Sequence, residues 1–116
     1  MSKQTRKFRK FEESLQERLR DPEYVRIFLD VALEEYEKDG DREAFLLALR
    51  DVVEAQGGIG KLAKETNLNR QNLYKALSEE GNPRLETVDA ILHTLGFRLS
   101  IVPLLEIGSI ERGGAR

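Results

Sequence analysis

From Asn69 to Lys75 the chain reads Asn-Arg-Gln-Asn-Leu-Tyr-Lys, which places a guanidinium, three carboxamides, a phenol and an ammonium within seven consecutive residues. Arg forms paired hydrogen bonds with guanine and Asn or Gln with adenine, while Lys holds phosphate oxygens. Those types in that run suit the reading of base edges in a groove of double-stranded DNA. Little else in the chain suits reaction chemistry. There is no Cys, hence no thiolate nucleophile, disulfide or usual structural zinc site, and His93 is the single histidine. His93 reads as a surface or interface residue rather than a ligand. Glu34 and Glu35 are adjacent on a predicted helix and do not face a common site. Gly57-Gly58-Ile59-Gly60 lacks the Lys-Ser/Thr ending of a phosphate loop and falls between helices. No catalytic residues emerge, the protein is not expected to be an enzyme, and neither a metal nor a cofactor is expected.

A base-reading run must stand on a positioned helix, and residues 59–78 supply two helices joined by a tight turn. Leu62, Ala63 and Thr66 share one face, Leu68 lies in the turn, and Leu73, Ala76 and Leu77 recur at i, i+3 and i+4. Ala63 provides the small residue needed where two helices cross steeply, with Leu73 as the opposing contact. Asn67 occupies the turn and tolerates positive φ. Asn69 then offers a side-chain oxygen as N-cap of the second helix. Any helical bundle contains apolar residues three and four apart. This unit differs in its charge, with Lys61, Lys64, Arg70 and Lys75 against Glu65 alone, in a chain of net charge −2.

The surrounding elements follow from cap signals and periodicity. Asp21-Pro22 starts a helix whose expected apolar face is Tyr24, Val25, Phe28, Leu29, Ala32, Leu33 and Tyr36, closed by Gly40. Asp41 caps the next, which is apolar nearly all round from Ala44 to Val53 and reads as the hub of the core, ended by Gly57-Gly58. After the loop Glu79-Glu80-Gly81-Asn82-Pro83, Leu85, Val88, Ile91, Leu92 and Leu95 form the last helix, closed by Gly96. Phe97, Leu99 and Ile101 alternate with polar residues and predict a short strand, which needs a partner strand from this chain or a second copy; pairing across a two-fold axis is favoured, with simple docking on the core as the alternative. The expected fold is thus all-α, five helices with a short C-terminal β-strand. Its domains are a basic N-terminal arm or helix at 1–20, the main domain at 21–102 and a tail at 103–116. In the arm, Phe8, Phe11, Leu15 and Leu19 fall at steps of three and four; it either orders against DNA or a protein partner, or docks loosely on the domain.

Residues 1–20 carry seven Lys and Arg against three Asp and Glu, and residues 21–56 carry four against eleven. So acidic a block repels phosphate and should face away from DNA, which implies a second partner. With no secretory signal and no run of about 18 apolar residues, the expected protein is soluble and cytoplasmic, with no membrane contact.

The segments FLLALRDVVEAQGGIGKLA at 45–63, LNRQNLYKALSEEGNPRLETV at 68–88 and LGFRL at 95–99 resemble antitoxins of the HigA-like addiction-module family, within the lambda-repressor-like helix-turn-helix class. The resemblance runs from about Asp21 to Ile101. It implies a homodimer that represses its own operon and neutralises a RelE/HigB-type toxin, an mRNA endonuclease. Asn67 stands where many members have Gly, and Arg84 where related repressors often have a Ser or Thr cap. On this reading Arg70, Gln71 and Tyr74 meet base edges, while Lys61, Asn69, Asn72, Lys75, Asn82 and Arg84 hold phosphates or fix register. The acidic block at 21–56 would help to hold a basic toxin, or else Glu34, Glu35, Glu37 and Asp39 form only a solvated helix end. The alternative function is a stand-alone prophage-like or stress-related repressor with no toxin partner.

Overall fold

The computed structural model describes residues 15–104. Most of the basic arm, with Phe8 and Phe11, and the tail from residue 105 lie outside the described residues. A helical turn at 15–18 leads into five helices: α1 Pro22–Asp39, α2 Arg42–Ala55, α3 Gly58–Thr66, α4 Arg70–Ala76 and α5 Leu85–Thr94. The protein is all-helical over this range.

The cap signals act as read. Asp21 Oδ1 accepts from the Glu23 amide at 3.2 Å ahead of Pro22, and Asp41 Oδ1 accepts from the Glu43 amide at 3.0 Å. Each satisfies a donor that the first helical turn leaves free. Gly40 ends α1 in the left-handed region at φ 74°, its amide donating to the Tyr36 carbonyl. α1 and α2 thereby form a helical hairpin. Beyond it α2 packs on α3, and α3 packs on both α4 and α5.

One core runs through all of these elements. α2 contributes Phe45, Leu46, Ala48, Leu49, Val52, Val53 and Ala55; Val25 and Leu29 come from α1, Ile59 and Leu62 from α3, and Ile91 and Leu92 from α5. Leu19 has 0% exposure, Leu15 packs beside it, and the Gln56 side-chain amide donates to the Leu19 carbonyl at 3.1 Å. The apolar stripe at 15–19 is therefore docked on the domain.

Two expected apolar faces are narrower than their sequences suggest. Every residue from 33 to 44 is exposed, including Leu33, Tyr36 and Ala44, and so is Leu47 on α2. Near the Gly40 turn no third helix among the described residues closes over the hairpin; the segment after α4 comes near only through Arg42 and a hollow beside Ala44 and Leu47, and two helices cannot enclose a side chain without a third.

The expected strand at Phe97, Leu99 and Ile101 is corrected: no strand occurs among the described residues. Phe97 serves the end of α5 instead. With Gly96 at φ 97°, the Gly96 amide donates to His93 and the Phe97 amide to Leu92, a Schellman closure with Phe97 packed against the core. No second described segment offers a ladder to the residues that follow, and an unpaired strand cannot satisfy its own backbone.

Candidate nucleic-acid interface

The turn between α3 and α4 is built by local hydrogen bonds. Asn67 sits at φ 63° and is the sole non-Gly residue with positive φ among those described; its amide donates to the Ala63 carbonyl at 3.1 Å. The Thr66 hydroxyl donates to the Leu62 carbonyl at 2.8 Å and accepts from the Leu68 amide at 3.2 Å. Asn69 Oδ1 then accepts from the amides of both Gln71 and Asn72, at 2.8 and 3.1 Å. Asn69 is thus the cap of α4, and its oxygen is already engaged.

α4 is anchored by Leu73, with Leu77 just beyond its end, both about 1% exposed. At 100° per residue that leaves a continuous outward arc, and the five side chains on it, Arg70, Gln71, Asn72, Tyr74 and Lys75, are all exposed. Gln71 and Lys75, four residues apart, stand at its centre. Arg70 and Tyr74 form one edge, with the Arg70 guanidinium carbon 6.0 Å from the Tyr74 ring centroid. That contact orients both groups without using the guanidinium's donors. Asn72 forms the other edge, beside a groove that it lines together with Lys75, Asn82 and Arg84.

The remaining expected site residues divide. Asn82 and Arg84 do converge on α4, but Glu80 and Glu86 line the same groove, and Arg84 Nη1 lies 3.8 Å from Glu86 Oε1. Arg84 precedes α5 without a side-chain cap bond, as its departure from Ser or Thr suggests. Lys61 is exposed on α3 but lines a different hollow, with Gln56, Glu65 and Thr94, and is not brought into the groove. His93 is exposed on α5, its Nε2 3.7 Å from Asp89 Oδ1.

A positioning contact that sequence reading missed secures the loop after α4. Arg42 Nε donates to the Gly81 carbonyl at 2.8 Å, tying the start of α2 to the segment that carries Asn82 and Arg84. Gly81 itself is buried under the end of α4, where a Cβ would overlap the Ala76 carbonyl. Its sequence signal was the glycine inside Glu-Glu-Gly-Asn-Pro, read only as a turn former.

The family described as "Probable addiction module antidote protein" matches residues 7–103. This chain belongs to that family. The match starts at residue 7, not near Asp21, so most of the N-terminal segment falls within it. A protein of Haemophilus influenzae, described as an uncharacterized protein, is 31% identical over 85 residues, which is 73% of this chain and 82% of that one. No solved structure matches. An antidote family implies a toxin as partner in general terms. Among the described residues no helix is long and apolar enough to cross a membrane.

Proposed function

We propose that this protein is the antitoxin of a type II toxin–antitoxin module, a homodimer that represses its own operon and neutralises a RelE/HigB-type mRNA endonuclease. The observation that carries the DNA half is the outward arc of α4. Five hydrogen-bonding or cationic side chains face solvent from a helix held by Leu73 and capped by Asn69, in a chain of the antidote family. In a dimer, two copies of α4 enter successive major grooves about 34 Å apart on a pseudo-palindromic operator. Arg70, Gln71 and Tyr74 meet base edges; Asn72, Lys75, Asn82 and Arg84 hold the backbone beside the groove, and Lys61 holds phosphate from α3. Asn69 contributes by fixing the start of α4.

The test is binding to DNA taken from upstream of the protein's own reading frame. Gln71→Ala is expected to cost about 1–3 kcal/mol and to relax specificity at one base pair, whereas Lys61→Ala weakens binding to all sequences and lowers the salt slope. Wild-type affinity in both variants refutes the assignment. Co-expression with the product of the adjoining reading frame tests the toxin half: growth rescue and co-purification support it. Operator binding without any such partner favours the stand-alone repressor.

A further inference from the structure

α1 carries two apolar stripes; the core takes one of them and the inner edge of the other, where Tyr24 and Phe28 pack against it. Val25 and Leu29 are buried and Ala32 packs beside them. The second stripe is Tyr24, Ile27, Phe28 and Val31, spaced i, i+3, i+4 and i+7 on a neighbouring face. Tyr24 and Phe28 stack at 6.2 Å between ring centroids and are half-buried, which makes a firm floor. Ile27 and Val31 stand beside it, 49% and 51% exposed. Single exposed apolar side chains are ordinary on a soluble protein, but Ile27 and Val31 one turn apart over a half-buried aromatic floor form a helix-in-groove pattern.

The edge of this stripe beside Ile27 is acidic, while at its start the Arg18 guanidinium carbon lies 5.9 Å from the Tyr24 ring centroid. Glu23, Asp30 and Glu34 run along the edge beside Ile27, and Glu35 continues the stripe past Val31. Arg26 neutralises Glu23 at 2.7 Å, and Lys38 lies 3.8 Å from Glu35. The Arg26 guanidinium holds the Glu23 carboxyl below its usual range. Asp30 and Glu34 have no ion-pair partner among the described residues. A surface of this kind is complemented by apolar side chains framed with Lys or Arg. Phosphate is repelled by it, and a second copy laid antiparallel would bring like charges together.

We infer that this face of α1 is the docking site for the toxin, engaging a helix or ridge whose apolar side chains cover Ile27 and Val31 and whose basic side chains meet Asp30 and Glu34. The inference rests on the antitoxin reading proposed above. It adds that toxin and DNA use separate surfaces: α1 packs on α2, whereas α4 packs on α3. Both partners can then be held at once.

The experiment uses the full chain and, as probe, the purified product of the adjoining reading frame. Ile27→Ser with Val31→Ser is expected to weaken binding by at least about tenfold, with the thermal midpoint and upstream-DNA binding unchanged, since both side chains are half in solvent already. Asp30→Asn with Glu34→Gln removes charge but leaves the apolar ridge intact. It should slow association and flatten its salt dependence. Should the first pair disturb folding, the second alone decides the matter. Wild-type binding in the folded variants overturns this surface and leaves the antitoxin reading standing. A shift from dimer to monomer in the first variant overturns it too, by making the stripe a seam between copies. If the unaltered protein fails to bind the product at all, the antitoxin reading itself falls.

Discussion

Gly81→Ala adds one methyl group where the backbone leaves no room. The new Cβ would overlap the Ala76 carbonyl oxygen and lie 2.8 Å from both the Ala76 carbonyl carbon and the Lys75 carbonyl oxygen. All three atoms belong to the last turn of α4, so no side chain can swing aside and the loop or the helix must move. Overpacking of this kind costs about 1–3 kcal/mol. Movement of the loop also strains the 2.8 Å bond from Arg42 to the Gly81 carbonyl, and hydrogen bonds to a charged donor are worth about 1.5–3 kcal/mol when fully lost. Partial relaxation makes about 2–4 kcal/mol a fair total, a large fraction of the roughly 5–15 kcal/mol that holds a typical domain. Urea denaturation followed by circular dichroism reads the shift directly, and Gly60→Ala is the matched control. Gly60 lies within α3, and a Cβ there meets nothing closer than the Arg70 guanidinium carbon at 3.9 Å. Its replacement should stabilise by up to about 0.5–1 kcal/mol. Shifts of the same sign in the two variants would refute the steric reading of Gly81.

Asn69→Ala removes the acceptor shared by the Gln71 and Asn72 amides and should cost about 1 kcal/mol in thermal or urea unfolding, with weaker DNA binding. Asn69→Asp keeps the capping oxygen, so stability should hold while the added negative charge weakens DNA binding and flattens its salt dependence. Partial burial pushes the Asp51 carboxyl above its usual range, with Glu54 adding to the rise and Arg50 opposing it. The folded state therefore binds this proton more tightly than the unfolded chain, and stability falls as pH rises from the ordinary aspartate value, about 3.9, through the raised one. Asp51→Asn should accordingly be more stable than the natural protein at pH 7, the advantage shrinking as pH drops through that window; an advantage constant from pH 7 to pH 3 would contradict this.

Local signals were legible because they act over two or three residues. Asp21, Asp41 and Asn69 each cap through a bond to an amide at i+2, and Asn67 takes positive φ because its short polar side chain permits it. The side chains that α4 turns outward could be read from the spacing of Leu73 and Leu77 alone. What stayed hidden depends on partners distant in sequence. Arg42 reaches Gly81 across 39 positions and Gln56 reaches Leu19 across 37, and nothing in either pair's residue types announces the other. The exposed end of the α1–α2 hairpin was misjudged for a similar reason, since periodicity marks a face as apolar without saying whether a third helix arrives to cover it. Alternation at Phe97, Leu99 and Ile101 resembled a strand, but the tie from Phe97 back to Leu92 belongs to the helix before it. Glu80 and Glu86 beside α4 could not be foreseen from charge counts, which locate blocks and not grooves.

The order in which the helices pack has a consequence for how quickly the protein is made ready. Among the described residues the main packings join α1 to α2, α2 to α3 and α3 to α4, with that of α3 and α5 skipping an element. Most native contacts therefore close short loops, and helical topologies of that low contact order fold in about microseconds to milliseconds. Folding of each chain would then add little delay, and the concentration-dependent step on the way to the dimer proposed above would be the meeting of two copies.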